Sequence, residues 1–163
     1  MINANNLLDH KDRITPQYLA GLFDGEGCVS VGLTNNGTPR LRVSISQKNP
    51  YILHLISFFL SANIYKQSDK KKKCSWHQIV WTGAQAIPFL EYIKDHVIIK
   101  KDLVENGLLL AQLFKYNTNI KSSATDIVII KRKELFDKIL AINHSNKSSK
   151  SDDSVADNKE SLN

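Results

Sequence analysis

The sequence lacks the features of a secreted or membrane-inserted protein. No apolar run approaches the roughly 20 residues that span a bilayer. The first eleven residues carry asparagine and charge where a signal peptide requires an apolar core. The only two cysteines, Cys28 and Cys74, form no CxxC pair and are too few for a disulfide framework. These absences favour a reduced, intracellular setting, with both cysteines as ordinary packing residues.

Composition predicts one basic globular domain. The chain has 163 residues, of which 42% are hydrophobic and 23% are charged, and this balance is typical of a single compact domain. Lysine and arginine outnumber aspartate and glutamate by 22 to 16, so the net charge is +6. A basic body favours a polyanionic partner, with nucleic acid as the first candidate. The alternative is that the basic surface binds only small counterions and has no polyanionic partner.

Two kinds of apolar pattern alternate along the chain. Apolar residues at every second position predict half-buried strands, and a period of 3.6 predicts helices. A capping residue followed by proline starts a helix at Thr15-Pro16 and again at Asn49-Pro50, while Asn35-Asn36-Gly37 predicts a hairpin turn. The predicted strands are 28–34, 40–46, 64–68 and 74–82. Further helices are predicted at roughly 84–95, 101–116 and 125–142.

This order predicts an α+β fold in which two hairpins form one four-stranded antiparallel sheet backed by helices. Residues 1–142 are expected to form the domain. Residues 143–163 are polar, with three lysines and four acids, and are expected to form a tail. The last helix is expected to pack through Ile127, Ile130, Leu135, Ile139 and Ile142.

The most informative stretch is Leu-Ala-Gly-Leu-Phe-Asp-Gly-Glu-Gly at residues 19–27. It resembles the LAGLIDADG motif of homing endonucleases, with Phe23 in place of isoleucine, Gly25 in place of the second alanine and Glu26 in place of the second aspartate. The helix, hairpin, helix, hairpin order over about residues 14–142 extends the resemblance. Only one copy of the motif is present, so the chain resembles the single-motif branch that acts as a homodimer.

Small residues in the motif also have a physical meaning of their own. Ala20, Gly21 and Gly25 reduce side-chain bulk, so that a second helix can approach at close backbone distance. If that helix comes from another copy, a two-fold axis brings both helix ends together. Core packing is the alternative for these residues. The resemblance places the motif helix at the dimer interface through Leu19, Ala20, Gly21, Phe23 and Asp24.

Glu26 follows the helix end, where the last carbonyls lack intrahelical partners. Carboxylate and carbonyl oxygens suit Mg²⁺. The resemblance implies that Glu26 and the Gly25 carbonyl hold Mg²⁺, with Mn²⁺ able to substitute, and that Glu26, Gln47 and Lys101 are catalytic. Lys100 is the alternative to Lys101, because a shift of one residue in the comparison exchanges them.

The polar sides of the predicted strands form a candidate DNA-reading face. Arginine on such a face can engage guanine bidentately in the major groove, whereas a merely solvated sheet surface is the alternative. The first hairpin contributes Ser30, Thr34, Arg40, Arg42, Ser44 and Ser46. The second is expected to contribute Lys66, Ser68, Ser75 and His77, with Trp76 and Gln78 left open as the other possibility because 74–81 does not alternate cleanly. Lys71, Lys72 and Lys147 are expected to contact the phosphate backbone.

Together the resemblance implies a site-specific double-strand DNA endonuclease that acts in intron homing. Its target is expected to be a pseudo-palindrome of roughly 20 base pairs, mirroring the symmetry of a dimer. Asparagine- and lysine-rich composition suggests an AT-rich genome, such as that of a chloroplast or mitochondrion. The alternatives are an RNA maturase that assists splicing and a DNA-binding regulator that does not cut. Retention of Glu26 disfavours both.

Overall fold

The structure is a computed structural model that describes residues 14–35, 39–69, 74–114 and 123–156, with the side chains of the last helix described for residues 126–146. The fold is α+β, as the sequence predicts. The elements are α1 (Pro16–Glu26), β1 (Gly27–Leu33), β2 (Pro39–Gln47), α2 (Tyr51–Leu60), β3 (Asn63–Asp69), β4 (Cys74–Thr82), a 3₁₀ turn (Gly83–Ala86), α3 (Ile87–Ile93), α4 (Lys101–Leu113) and α5 (Ser123–Ala156).

The four strands form one antiparallel sheet in the order β1-β2-β4-β3. In the first hairpin β1 pairs with β2, and in the second β3 pairs with β4. The two hairpins are joined because β2 also pairs with β4. Side chains alternate across the strands, so one face is apolar and buried: Val29, Leu41, Val43, Ile45, Ile79 and Trp81. The helices cover this face, and the opposite face carries mainly polar side chains.

Helix α1 begins and ends as its sequence indicates. The Thr15 hydroxyl accepts a hydrogen bond from the Tyr18 amide at 3.2 Å, and Pro16 fills the first turn, where no amide hydrogen is needed. The helix runs to Glu26, two residues beyond the predicted end. Gly27 then turns directly into β1, and its amide donates to the Phe23 carbonyl.

An aromatic cluster joins α1 to the sheet. The Phe23 ring meets Phe89 of α3 edge-on, with ring centres 5.4 Å apart, and Phe89 stacks on Trp81 of β4 at 4.2 Å. All three side chains are fully or almost fully buried. Because aromatic rings bury large areas in fixed orientations, this cluster sets the position of α1 over the sheet.

Helix α5 differs from the prediction. It does not end near Ile142 but continues to Ala156, and Asn143 donates its side-chain amide to the Val29 carbonyl at 2.9 Å. Leu135 and Ile139 are buried as expected. Ile127 and Ile130 are exposed, although the pattern predicts them to be in the core. Among the helices of the described ranges, none combines the length and apolar character needed to cross a membrane.

Residue 27 must be glycine because the Phe23 ring lies where a larger side chain would have to go. A Cβ at residue 27 would lie within 2.2 Å of the Phe23 side chain, which the aromatic cluster holds in place. We therefore expect Gly27→Ala to lower the free energy of unfolding by about 1–3 kcal/mol, the usual cost of overpacking. Urea denaturation measures this loss. Gly32→Ala is the matched control, since no atom of the described residues lies within 4 Å of its Cβ position. An equal loss in both variants contradicts the explanation.

Candidate nucleic-acid interface and metal site

Asp24 joins the end of α1 to the start of α4. One carboxylate oxygen accepts hydrogen bonds from the amides of Ile98 and Ile99 at 2.8 and 3.2 Å, and the other accepts from the Lys100 amide at 2.9 Å. These amides precede α4, where a carboxylate is favourable to the helix dipole. Because both oxygens of Asp24 are engaged, this residue acts as a structural anchor and Glu26 is the better candidate for a metal ligand.

Lys100 makes the reciprocal contact. Its Nζ donates to the carbonyls of Phe23, Asp24 and Gly27 at 3.0, 2.7 and 2.7 Å. An ammonium group has three hydrogens, so these bonds use its full donor capacity. Two of the three carbonyls belong to the last turn of α1, where helical hydrogen bonding runs out; the Phe23 carbonyl also accepts from the Gly27 amide. Lys100 therefore secures the C-terminal end of α1, whereas Lys101, the first residue of α4, is exposed.

Lysine substitutions separate these two roles. We expect Lys100→Met to lower the free energy of unfolding by about 2–3 kcal/mol, because it removes charge-assisted bonds to half-buried carbonyls. Lys101→Met is expected to change it by less than about 0.5 kcal/mol, as is usual for an exposed side chain. Urea denaturation of both variants tests this. A larger loss for Lys101→Met than for Lys100→Met contradicts it.

Glu26 lies at the junction of α1 and β1 with its side chain exposed. The described residues contain no group of three or more histidine, cysteine, aspartate or glutamate side chains that could enclose an ion by themselves. The donors at this helix end are one carboxylate and main-chain carbonyls, which are the hard oxygen ligands that Mg²⁺ prefers. Mg²⁺ also retains waters and binds phosphate oxygens, so this donor set fits a metal shared with a nucleic acid.

Gln47 is the last residue of β2 and is half-buried. It lies two residues beyond Ile45, which pairs with Gly27 at the start of β1. Strand β2 therefore extends past the start of β1, alongside the end of α1 that carries Glu26. The structure thus brings Glu26, Gln47 and the start of α4 to the same corner of the molecule, and the catalytic role expected for Gln47 and Lys101 stays a prediction.

The expected dimer contacts of α1 need a correction. Leu19, Ala20 and Phe23 are fully buried within the chain itself, so their side chains serve its own core and are inaccessible to a partner. The outer face of the helix instead presents Tyr18, Gly21 and Gly25, all exposed. These positions follow a spacing of three and four residues, which is one face of a helix.

The polar face of the sheet contains the expected residues of the first hairpin. Thr34 and Arg40 are exposed, Ser30, Arg42 and Ser46 are half-buried, and Ser44 is buried. Two shallow depressions lie on this face, and Arg42 contributes to both. The residues that line one or both of the depressions include Ser30, Arg40, Ser44, Ser46, Asn63, Tyr65, Gln67, Trp76 and Gln78.

For the second hairpin, strand register corrects the prediction. Ser44 pairs with Val80 and Ser46 with Gln78, so the even-numbered residues of β4 share the face of Arg42. Lys66, Ser68, Ser75 and His77 consequently lie on the opposite face, beyond the part covered by helices. Trp76 and Gln78, the alternative left open, lie on the polar face. The odd-numbered residues of β3 join them: Asn63, Tyr65, Gln67 and Asp69.

A hydrogen-bond network crosses this face. Arg42 donates through Nη2 to the side-chain oxygen of Gln78, and the Gln78 amide nitrogen donates to the hydroxyls of Ser44 and Ser46 at 3.3 and 3.1 Å. These residues come from β2 and β4, so the network depends on pairing between the hairpins. Lys71 and Lys72 lie outside the described residues, as does the side chain of Lys147. Their expected backbone contacts stay predictions.

Comparisons with known proteins agree with this architecture. The sequence profile of the LAGLIDADG endonuclease family matches residues 19–95. None of the curated proteins matches the chain by sequence. The homing endonuclease I-CvuI, solved in complex with the I-CreI target, has a TM-score of 0.62 and 18% identity, with 80% of this chain and 82% of that chain covered.

Two further structures show the same fold. The archaeal intron-encoded homing endonuclease I-Vdi141I, complexed with DNA, has a TM-score of 0.58 and 20% identity, with 77% of this chain and 84% of that chain covered. The LAGLIDADG meganuclease I-AabMI, bound to uncleaved DNA, has a TM-score of 0.56 and 21% identity, with 73% of this chain but only 44% of that chain covered. The chain therefore resembles the LAGLIDADG endonuclease family over residues 19–95 and has the fold of these homing endonucleases.

Proposed function

We propose that this protein is a homodimeric endonuclease that uses a divalent metal ion to cut both strands of a long, nearly palindromic DNA site. One observation carries the proposal: the open, glycine-bearing face of α1 leads directly to the exposed carboxylate of Glu26. A helix end of this kind needs a second copy and a nucleic acid to complete an enclosed site. The polar sheet face, which starts at the same corner, offers the surface for that nucleic acid.

The outer face of α1 supports dimerisation. Among the described residues, no atom outside the helix's own backbone lies within 4 Å of a Cβ placed at Gly21 or Gly25, so a second helix can approach closely there. Ile98 and Ile99, anchored beside this helix end by Asp24, leave 83% and 79% of their surface exposed. Exposed apolar groups next to a small-residue helix face are typical of a protein interface. The chain also matches less than half of I-AabMI, as one half of a larger two-fold arrangement would.

The sheet dimensions suit DNA of the expected length. Strand β2 has nine residues, which span about 30 Å at about 3.3 Å per residue. This corresponds to about nine base pairs at a rise of about 3.4 Å. Two sheets related by a two-fold axis would therefore cover roughly 20 base pairs with a pseudo-palindromic sequence. The net charge of +6 favours this polyanionic partner.

Each residue at the corner has a distinct task in phosphodiester hydrolysis. Glu26, with the Gly25 carbonyl, would hold Mg²⁺, which lowers the pKa of bound water and stabilises charge on the phosphate. Mn²⁺ would be accepted by the same oxygen donors. Gln47 would orient the attacking water by hydrogen bonding, and Lys101, being exposed, would offset negative charge that develops on the phosphate. Asp24 and Lys100 would keep this helix end rigid.

We further propose that the substrate is the intron-free allele of the gene that carries this reading frame, in an organelle with an AT-rich genome. The test is to incubate the protein with Mg²⁺ and a pool of duplexes randomised over about 24 base pairs, and to sequence the cut ends. We expect cuts in both strands at one related set of sequences. Binding to intron RNA without DNA cleavage would instead establish a maturase, and DNA binding without cleavage a regulator.

A further inference from the structure

We propose that Arg42 recognises one guanine in each half of the DNA site, and that Gln78 acts as the positioning residue that aims Arg42 without contacting a base itself. This inference rests on the proposed function, since it concerns how the same sheet face selects its DNA. It assigns Gln78 a positioning role, whereas the sequence alone leaves Gln78 only as one possible DNA-facing residue of the second hairpin.

The surroundings of the Arg42 guanidinium limit how it can meet a base. Its Nε is buried and has no hydrogen-bond partner in the part of the chain that is described. Nη2 donates one hydrogen to the Gln78 side chain. Within the described residues, no hydrogen bond from Nη1 or from the second hydrogen of Nη2 is seen, so these donors can meet an incoming group on the polar face. These two nitrogens form the end of the arginine fork, and the fork matches O6 and N7 of guanine.

Gln78 has both of its side-chain amide hydrogens committed to contacts within the protein. Its side-chain oxygen accepts from Arg42, and its amide nitrogen donates to Ser44 and Ser46 at 3.3 and 3.1 Å. A primary amide has two hydrogens to donate, so both are used. Gln78 therefore has no donor left for a base edge. Its oxygen is instead oriented by the two serines toward the guanidinium, which fixes one end of a long and otherwise mobile side chain.

The register of β2 gives the position of the guanine. Arg42 lies five residues before Gln47, which ends the strand beside Glu26. At about 3.3 Å per residue this separation is about 17 Å, or about five base pairs along the groove. The preferred guanine should therefore lie about five base pairs outward from the cut phosphate, once in each half-site.

The experiment measures equilibrium binding in Ca²⁺, a condition intended to prevent cutting, to duplexes carrying each of the four bases at each position of the selected target. The unmodified protein should favour guanine at the stated position by about 10- to 100-fold. Arg42→Ala should reduce this preference to less than about two-fold while preferences elsewhere persist. Gln78→Leu should remove most of the same preference, and the double variant should match Arg42→Ala, because Gln78 acts through Arg42.

Gln67→Leu is the matched control. Gln67 lines both depressions from the neighbouring strand but makes no hydrogen bond to Arg42 among those the structure shows, so its replacement should leave the guanine preference intact. Ser46→Ala provides a milder variant that removes one anchor of Gln78 and should weaken the preference partly. Thermal unfolding of each variant identifies any general loss of the fold.

Several results would overturn the inference. These are an unchanged guanine preference in Arg42→Ala, a Gln78→Leu effect confined to another base pair, or additive effects of the two substitutions. The proposed function fails separately, if the unmodified protein selects no DNA sequence at all. A selective protein whose preference at this position ignores Arg42 contradicts only the present inference.

Discussion

Glu26→Gln should abolish DNA cleavage while leaving DNA binding intact. The substitution keeps the shape of the side chain and removes the charge that would hold a divalent cation at the end of α1. A bound metal contributes several kcal/mol of charge stabilisation in phosphate chemistry, so we expect the cleavage rate to fall by about 1,000-fold or more. Gel analysis of a labelled target in Mg²⁺ measures the rate, and equilibrium titration in Ca²⁺ measures binding.

Glu134→Gln is the control, because Glu134 is an exposed glutamate on α5 and has no place in the site. It removes the same charge from the molecule and should cut DNA at the normal rate. If the Glu26→Gln protein still cuts at a rate within ten-fold of normal, the metal ion binds elsewhere in the protein. Loss of binding together with cleavage would show that Glu26 supports the fold or the dimer.

Gly21→Leu should convert the proposed dimer into a folded monomer. The outer surface of α1 at residue 21 is open, because no atom of the described residues outside the helix's own backbone lies within 4 Å of a Cβ placed there, so a larger side chain has room within its own chain. Replacing a helical glycine also favours the helix by about 1 kcal/mol. At a two-fold interface, however, both copies carry the leucine, and each clash costs about 1–3 kcal/mol. We expect the dissociation constant of the dimer to rise by about 100-fold or more, with double-strand cleavage lost.

Sedimentation velocity over a range of protein concentrations measures this change. Gly32→Leu is the matched control, since Gly32 is equally open but lies on the polar face of β1. It should stay dimeric and weaken only DNA binding. If Gly21→Leu remains a dimer of normal affinity, the two copies meet through another surface.

Much of the fold could be predicted because local sequence and tertiary structure agree. Thr15 and Pro16 define the start of α1 by chemistry that needs no distant partner. The strict alternation of β1 and β2 identifies their buried faces, since Val29, Val43 and Ile45 are all fully buried. Glu26 could be selected because it ends a motif whose helix and following strand form locally.

Other features depend on contacts that local patterns do not encode. Residues 74–81 alternate poorly, so only the pairing of β4 with β2 decides that Gln78 faces the same way as Arg42. Leu19, Ala20 and Phe23 belong to the motif, but their side chains are buried in the core of the chain itself. Likewise, the role of Lys100 comes from three carbonyls that lie more than 70 positions earlier in the chain.

The contact between Asn143 and the Val29 carbonyl limits how two copies can assemble. It caps one outward-facing carbonyl of β1, the edge strand, with a side chain of α5, which hinders pairing with a strand from another molecule at that point. Two copies are therefore not expected to merge their β1 edges into one continuous sheet. Each copy would keep its own four-stranded sheet, which can tilt with its own half of a curved duplex. A change in the angle between the two α1 helices of a dimer would then alter the spacing between the two DNA half-sites.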